Sequence, residues 1–283
     1  GPVYDTRIMD VMGSGDFKKL FAFDSAFCEK AAECGHRSFV MMAGAFDRTA
    51  VEVQKYSHEG PFGVGYGICT YEPTGPDETR NFLEQEELAK AQKMAELRGK
   101  EDAYITLARL TLESYFEKGI TPSAETLHEQ GLLPELPPAL LETRAGCFVS
   151  LHKDGALRGC IGTTGPTQDT LADEIIRNAV NAATEDPRFP RVEAHELPDL
   201  VYSVDVLSAP EDIDGPDDLD VRKYGVIVST DGFIPKRGLL LPDLAGVDTV
   251  AEQIAIARRK ANIRDDEKVK LQRFTVERHE VRV

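Results

Sequence analysis

The sequence predicts an α+β protein with largely antiparallel sheet, and two observations carry that expectation. Apolar runs come in pairs around short turns: residues 146–152 and 156–163 flank "KDG", and "YGVIVS" and "GLLLP" flank "TDGFIPK". Helical stripes of apolar residues are interspersed with these hairpins, a pattern that points to antiparallel sheets with packed helices.

Taken in order, residues 3–73 carry a short α/β pattern. Asp24 suits the N-cap of a helix through "SAFCEKAAEC", with Gly35 at its C-terminal stop. "RSFVMMAGAF" reads as a buried strand running into a turn. "GVGYGICTY" reads as another strand, whose glycines mark a close backbone approach. This section is too short for an independent α/β domain and reads as the end of one. Residues 74–100 form a boundary: "PTGPDETR" is turn-rich, and "FLEQEELAKAQKMAELRGK" is a charged linker helix with a thin apolar stripe.

Residues 101–283 form the main domain. Its first helix spans residues 102–118, with Tyr104, Leu107, Ala108, Leu112, Tyr115 and Phe116 on one stripe. "TPSAETLHEQGLLPELPPALLETR" is a Pro-rich excursion. After the first hairpin a helix runs over 168–184 and stops before Pro187. "LVYSVDVLS" is a strand of period two. After the second hairpin, Thr249 and Glu252 form a capping box for a helix carrying Val250, Ile254 and Ala257. "LQRFTVERHEV" is a closing strand, and no internal repeat stands out.

Composition narrows the function classes. The 283 residues are 41% hydrophobic, enough for a sizeable core, and no run approaches the ~18 apolar residues of a membrane span. The net charge of −16, without a Lys/Arg run, argues against a nucleic-acid partner. Five cysteines without paired spacing fit a reducing cytoplasm, and no secretory signal opens the chain. Gly1-Pro2 reads as a protease scar, with the natural protein expected to continue upstream. The acidic run "PEDIDGPDDLD" departs from the EF-hand ligand order and reads as a solvated loop.

The candidate chemistry sits in "GALRGCIGT". With a two-residue turn at Asp154-Gly155, Val149 lies opposite Cys160 and Leu151 opposite Arg158. Arg158 and Cys160 then share a face with Cys147, Val149 and Leu151. A three-residue turn slips the register and turns both away. In either case Arg158 and Cys160 point to one side, while Gly159 and Gly162 let something approach the backbone. Arg158 would then bind an anion, and Cys160 would be a nucleophile or thiol contact. The alternative is a small buried Cys160, with Arg158 satisfying loop carbonyls. Arg237-Gly238 opens a second strand, and two Arg-Gly pairs could converge on one carboxylate or phosphate. In "EDPRFPR", Asp186 could orient Arg188, or the segment could be a turn with a local ion pair. His152 falls beside Leu157, on the face opposite Cys160 in the two-residue-turn geometry, which disfavours a Cys–His pair.

Taken together, "GALRGCIGT", "EDPRFP", "VYSVDVLSAPE", "YGVIVS" and "RGLLLPDL" resemble the AMMECR domain family, in that order and at similar spacing, over residues 101–283. The resemblance implies an α+β fold of two subdomains, a cleft lined by the Leu-Arg-Gly-Cys-Ile-Gly segment, and no settled activity. "AAECGHRSFVMMAGAF" and "EGPFGVGYGICTY" resemble the C-terminal part of a Memo-type α/β domain, related to LigB-like extradiol dioxygenases. Proteins with this order of domains, the AmmeMemoRadiSam family, are associated with a radical-SAM partner. The Memo-type site is an iron or copper site of two histidines and one cysteine. Cys34 matches the cysteine. His36 matches neither histidine, and both would lie in upstream sequence. The resemblance therefore implies no metal centre, no cofactor and no dioxygenase activity for this stretch alone.

The expectation is a cytoplasmic protein whose AMMECR domain binds a small anionic ligand or a modified substrate. Arg158 and Arg237 would grip the anion, Gly159 and Gly162 would admit it, Cys160 would contact or react with it, and Asp186 and Arg188 would line the cleft. It would be an enzyme or an enzyme accessory working with a radical-SAM enzyme. The alternative is a non-catalytic interaction module. Residues 3–73 could also self-associate through apolar strands left uncovered.

Overall fold

A computed structural model describes residues 2–60, 63–231 and 234–281, and the chain divides into two units, Gly1–Lys93 and Met94–Val283. The first contains helix α1 (Pro2–Ser14), a 3-10 turn (Phe17–Ala22), α2 (Ser25–Ala31), α3 (His36–Ala45) and the antiparallel ribbon of β1 (Thr49–Glu59) and β2 (Tyr66–Pro76). Its core gathers Tyr4, Ile8, Met12, Phe17, Leu20 and Phe23. As expected, Asp24 caps α2, its carboxylate accepting the Phe27 N–H at 2.7 Å.

Two expectations fail here. "RSFVMMAGAF" is not a strand but α3, because the Glu33 carboxylate accepts the N–H groups of Gly35 and His36 and so caps a helix at that point. A short apolar run without a clear period does not separate strand from helix, and the cap decides it. Gly35 accordingly stands at the N-cap of α3 rather than stopping α2, which ends at Ala32 in the left-handed region at φ 54°. Helix α1 and strand β1 are further elements that the sequence reading passes over.

The chain enters the second unit within α4 (Phe82–Arg98). Asp102 caps α5 (Ala103–Lys118), and Gly119 ends it at φ 68°. The Pro-rich excursion holds two short helices, α6 (Ala124–Glu129) and α7 (Pro138–Glu142). Two four-stranded antiparallel sheets follow. The first has the order β10-β5-β3-β4, from β3 (Cys147–Lys153), β4 (Ala156–Gly162), β5 (Leu200–Leu207) and β10 (Val276–Glu280). The second has the order β6-β9-β7-β8, from β6 (Glu211–Ile213), β7 (Gly225–Ser229), β8 (Arg237–Leu240) and β9 (Lys270–Phe274). The tip of the second hairpin, residues 232 and 233, lies outside the described residues. The closing stretch is two strands, one in each sheet, because the chain leaves β9 at Phe274 and enters β10 at Val276.

Each sheet has one helix laid on its hairpin. Helix α8 (Leu171–Thr184) covers β3 and β4, and α9 (Val250–Lys260) covers β7 and β8. Hairpin, helix and third strand therefore recur: β3-β4-α8-β5 and β7-β8-α9-β9 share one connectivity and one strand order. The repeat is hidden in the sequence because only a few residues mark it. Among them are the two Arg-Gly pairs. A Cβ at Gly159 would fall 2.2 Å from the Ala182 carbonyl oxygen of α8, and one at Gly238 would fall 2.0 Å from the Ala257 carbonyl oxygen of α9. In both sheets the glycine lets a helix carbonyl touch the edge strand.

The core lies between the first sheet and helices α5 and α8, and includes Leu107, Leu112, Val149, Leu151, Ile175 and Tyr202. The far face of that sheet meets the second sheet in a smaller apolar cluster. There Phe148, Leu207 and Val276 pack with Ile227, Leu239 and Phe274.

Candidate functional site around Cys160

The first hairpin is both tight and irregular. Asp154 and Gly155 have φ of 52° and 79°, which makes a two-residue turn that pairs Lys153 with Ala156. Past His152–Leu157 the register slips, so that Leu151 pairs with Gly159 and Ser150 with Cys160. Arg158 is the extra residue of a β-bulge. A two-residue turn alone would put Cys160 on the buried face of Cys147, Val149 and Leu151. The bulge puts it on the opposite face, against Ser150, whose Oγ donates to Sγ at 3.2 Å.

The bulge also separates two residues that strand parity kept together. Arg158 turns to Glu196. Its Nε and Nη2 donate to the two carboxylate oxygens at 3.0 and 2.8 Å, and Nη1 and Nη2 reach the carbonyls of Pro190 and Arg191 at 2.8 and 3.3 Å. Lys153 joins Glu196 at 3.2 Å. The Arg158 guanidinium, hydrogen-bonded to Glu196, holds that carboxyl down at about 2. Arg158 is thus committed to internal partners and leaves no fork for an external anion. Glu196 was not singled out from the sequence. It sits 38 residues from its arginine, and no local pattern links the two.

Cys160 has a different arginine. The buried Asp186 accepts the Cys160 backbone N–H at 2.8 Å, and Arg188 Nη2 donates to the Cys160 carbonyl at 3.3 Å. Asp186 binds Arg188 through Nε at 3.0 Å and Nη2 at 2.7 Å, and accepts its backbone N–H at 3.1 Å. The 186–188 turn therefore satisfies the outward-facing edge of β4 as a further strand would. Hydrogen bonds from the Arg188 side chain hold the Asp186 carboxyl at about 2. The Arg188 side chain itself is 55% exposed. Of the two readings of "EDPRFPR", the orienting one and the local ion pair both hold, because the pair itself does the orienting.

The expected role of the glycines changes accordingly. Gly159 faces Ala182 of α8, and Gly162 lies under the Phe148 ring, where a Cβ would meet ring carbons at 2.3 Å. Both serve packing. Cys147 is fully buried beneath α8, and burial pushes its thiol up to about 12.

Register extends the Cys160 face across the sheet. Cys160, Ser150, Ser203 and Glu280 form one row, and Leu157, His152 and Val201 form the next. His152 therefore shares the face of Cys160, contrary to the sequence expectation, because the bulge moves Cys160 and not His152. Burial lowers the His152 pKa, against a raising influence from Glu280. The row on the other side is Gly162, Phe148, Asp205 and Arg278, with Arg278 Nε on Asp205 at 2.8 Å.

Arg237 opens β8 in the second sheet. It precedes Leu239 by two residues on β8 and so shares its face, the one that packs on Phe148. That row reads Arg237, Ser229, Lys270. Arg237 is exposed, and it forms no ion pair among the described residues. The second Arg-Gly pair thus carries its arginine on the Leu239 side of its sheet, while the first turns its arginine to Glu196.

In the first unit, Cys34 is exposed and lines a pocket of about 540 Å³ with Tyr4, Asp5, Glu33, Phe39 and His58. Among the described residues no three His, Cys, Asp or Glu side chains gather as metal ligands.

A family model described as AMMECR1 matches residues 105–281, which include both sheets and the Cys160 face. The chain belongs to the AMMECR1 family. A Thermotoga maritima protein is 49% identical over 183 residues, covering 63% of this chain and 98% of that protein. A Clostridium acetobutylicum protein is 40% identical over 280 residues, and this chain spans 57% of its length. This chain is similar to the crystal structure of an uncharacterized Pyrococcus horikoshii protein, with a TM-score of 0.52 at 34% identity, over 62% of this chain and 88% of that one. Among the described residues no helix is long and apolar enough to cross a membrane.

Proposed function

We propose that the AMMECR1 domain binds a small anionic ligand, a carboxylate or phosphate, on the face around Cys160. The observation that carries this reading is the half-exposed Arg188 guanidinium fixed alongside Cys160 by the buried Asp186. The exposed Arg237 on the second sheet supports it, as does the polar row of Ser150 and Ser203. Arg188 and Arg237 grip the anion and Cys160 contacts it or reacts with it. Arg158, Gly159 and Gly162 shape the strand and hold the helix against it. Reaction at the thiol makes the domain an enzyme, and contact alone makes it an enzyme accessory.

The test is a thermal shift with a panel of phosphates and carboxylates. Stabilisation by one class, absent in Arg188→Ala and kept in a surface variant such as Lys260→Ala, supports the reading. No shift across the panel rejects it.

Residues 3–73 are proposed as part of a Memo/LigB-like domain, and a radical-SAM enzyme in the cytoplasm as the partner. The motif resemblance supports both, together with the greater length of the Clostridium acetobutylicum relative. Iron or copper belongs to that proposal only with histidines from further sequence, and Cys34 would be its thiolate ligand. Co-purification of the partner that survives Cys160→Ser would favour a pure interaction module instead.

A further inference from the structure

We propose that Asp186 is a positioning residue that sets how strongly the Arg188 cation acts on Cys160. The site is thereby suited to electrophiles that carry a negative charge. The inference rests on the anion-binding reading above and adds to it the substrate class and the residue that tunes it.

The argument is geometric. Asp186 is 5% exposed, and its two oxygens accept four hydrogen bonds. One oxygen holds the Cys160 N–H at 2.8 Å and fixes the thiol-bearing residue on the strand edge. The same oxygen holds Arg188 Nη2 at 2.7 Å, and the other holds the Arg188 Nε and backbone N–H. The guanidinium is thereby laid along Cys160, with Nη2 also on the Cys160 carbonyl at 3.3 Å. Asp186 thus places a positive charge beside the Cys160 backbone and partly cancels it. A plain turn-closing carboxylate would need neither the bond to the β4 backbone nor the fork to a side chain left 55% exposed.

The other groups on this face of the first sheet are neutral, paired or more distant, while Arg237 and Lys270 on the second sheet add positive charge that Asp186 does not hold. Ser150 Oγ donates to Sγ from β3, and Ser203 on β5 is neutral. Asp205 is paired with Arg278, so the row beside Phe148 presents no net charge. His152 on β3 stands one row away, and Glu280 on β10 three strands away.

Alkylation of the intact chain reads this directly. Iodoacetate and iodoacetamide undergo the same displacement: the thiolate sulfur bonds to the methylene carbon, the C–I bond breaks, iodide leaves, and the thiol proton goes to solvent. They differ in charge. The readout is the ratio of the two rates at Cys160 by peptide mass spectrometry, referred to the same ratio at the exposed Cys34, over a range of pH. The expected wild-type result is a preference for iodoacetate at Cys160 of about threefold or more over Cys34, shrinking with salt. Arg188→Gln should remove most of the preference. Asp186→Asn keeps an acceptor for the Cys160 N–H but removes the opposing charge. It should raise the preference.

The outcomes separate. If the wild type shows the preference but Asp186→Asn leaves it unchanged, or alters both reagents equally, Asp186 is only structural. The tuning is then overturned while the anion reading stands. No preference in the wild type, or a Cys160 inert to both reagents until the protein unfolds, overturns the anion reading and the inference with it. Should Asp186→Asn lose its thermal transition, the half-exposed Arg188 decides the matter. Arg188→Lys should then keep the preference that Arg188→Gln loses, and an equal ratio in both overturns the proposal.

Discussion

At the scale of single residues, two carboxylates account for much of what holds the edge strand. Glu196 and Asp186 are both buried, and each has its carboxyl held at about 2 by the arginine hydrogen-bonded to it. A carboxyl whose folded value lies below its unfolded value of ~4 contributes stability that is complete above that unfolded value. The contribution is lost as the pH falls toward the folded value. Thermal unfolding followed from pH 5 to pH 2 should therefore lose midpoint steeply below about pH 4, and less steeply in Asp186→Asn. Arg158→Ala leaves Glu196 buried with Lys153 as its remaining cation, and is expected to cost about 3 kcal/mol in urea unfolding. If that variant unfolds like the wild type, the internal role assigned to Arg158 is wrong. Glu174 works similarly inside the domain. Burial opposes its ionisation, yet the N–H and hydroxyl groups of Thr163, Thr167 and Gln168 lower its pKa and hold the loop after β4.

At the scale of elements, the hairpin–helix–strand repeat makes a paired prediction. Gly159→Ala and Gly238→Ala each drive a Cβ into a helix carbonyl, so each should cost about 2 kcal/mol or more by chemical denaturation. Gly165→Ala, where a Cβ meets nothing within 4 Å, should be near neutral. Equal behaviour of all three variants would remove the packing account of the Arg-Gly pairs. The capping box of α9 is a second element-level device. Thr249 Oγ1 accepts the Glu252 N–H at 3.2 Å, and the Glu252 carboxylate returns to the Thr249 N–H at 3.1 Å. Thr249→Ala is expected to cost about 1 kcal/mol.

At the scale of the whole molecule, the division at Lys93/Met94 and the Thermotoga maritima relative, whose length the match nearly fills, point the same way. A chain of residues 94–283 should fold by itself. It should show one cooperative thermal transition and the same slow alkylation at Cys147 as the full chain. Failure to fold would tie the AMMECR1 domain to residues that precede it.

The sequence by itself determined most elements of this domain, because their signals are local. Asp102, Thr170 and Thr249 cap helices where short polar side chains precede apolar stripes, and Asp154-Gly155 supplies the two positive φ angles of a tight turn. It also marked Cys160, Asp186 and Arg188, because unusual residue types near glycine and proline stand out against an apolar strand. Only the tertiary structure decided which way those residues face. One extra residue at Arg158 reverses the side of every residue after it on β4, and side-chain alternation along a strand carries no record of a bulge. Tertiary structure likewise decided which arginine is spent and which is open. Glu196, 38 residues from Arg158, becomes its partner only when the chain folds. Asp186 meets the Cys160 backbone, 26 residues away, by the same long-range packing.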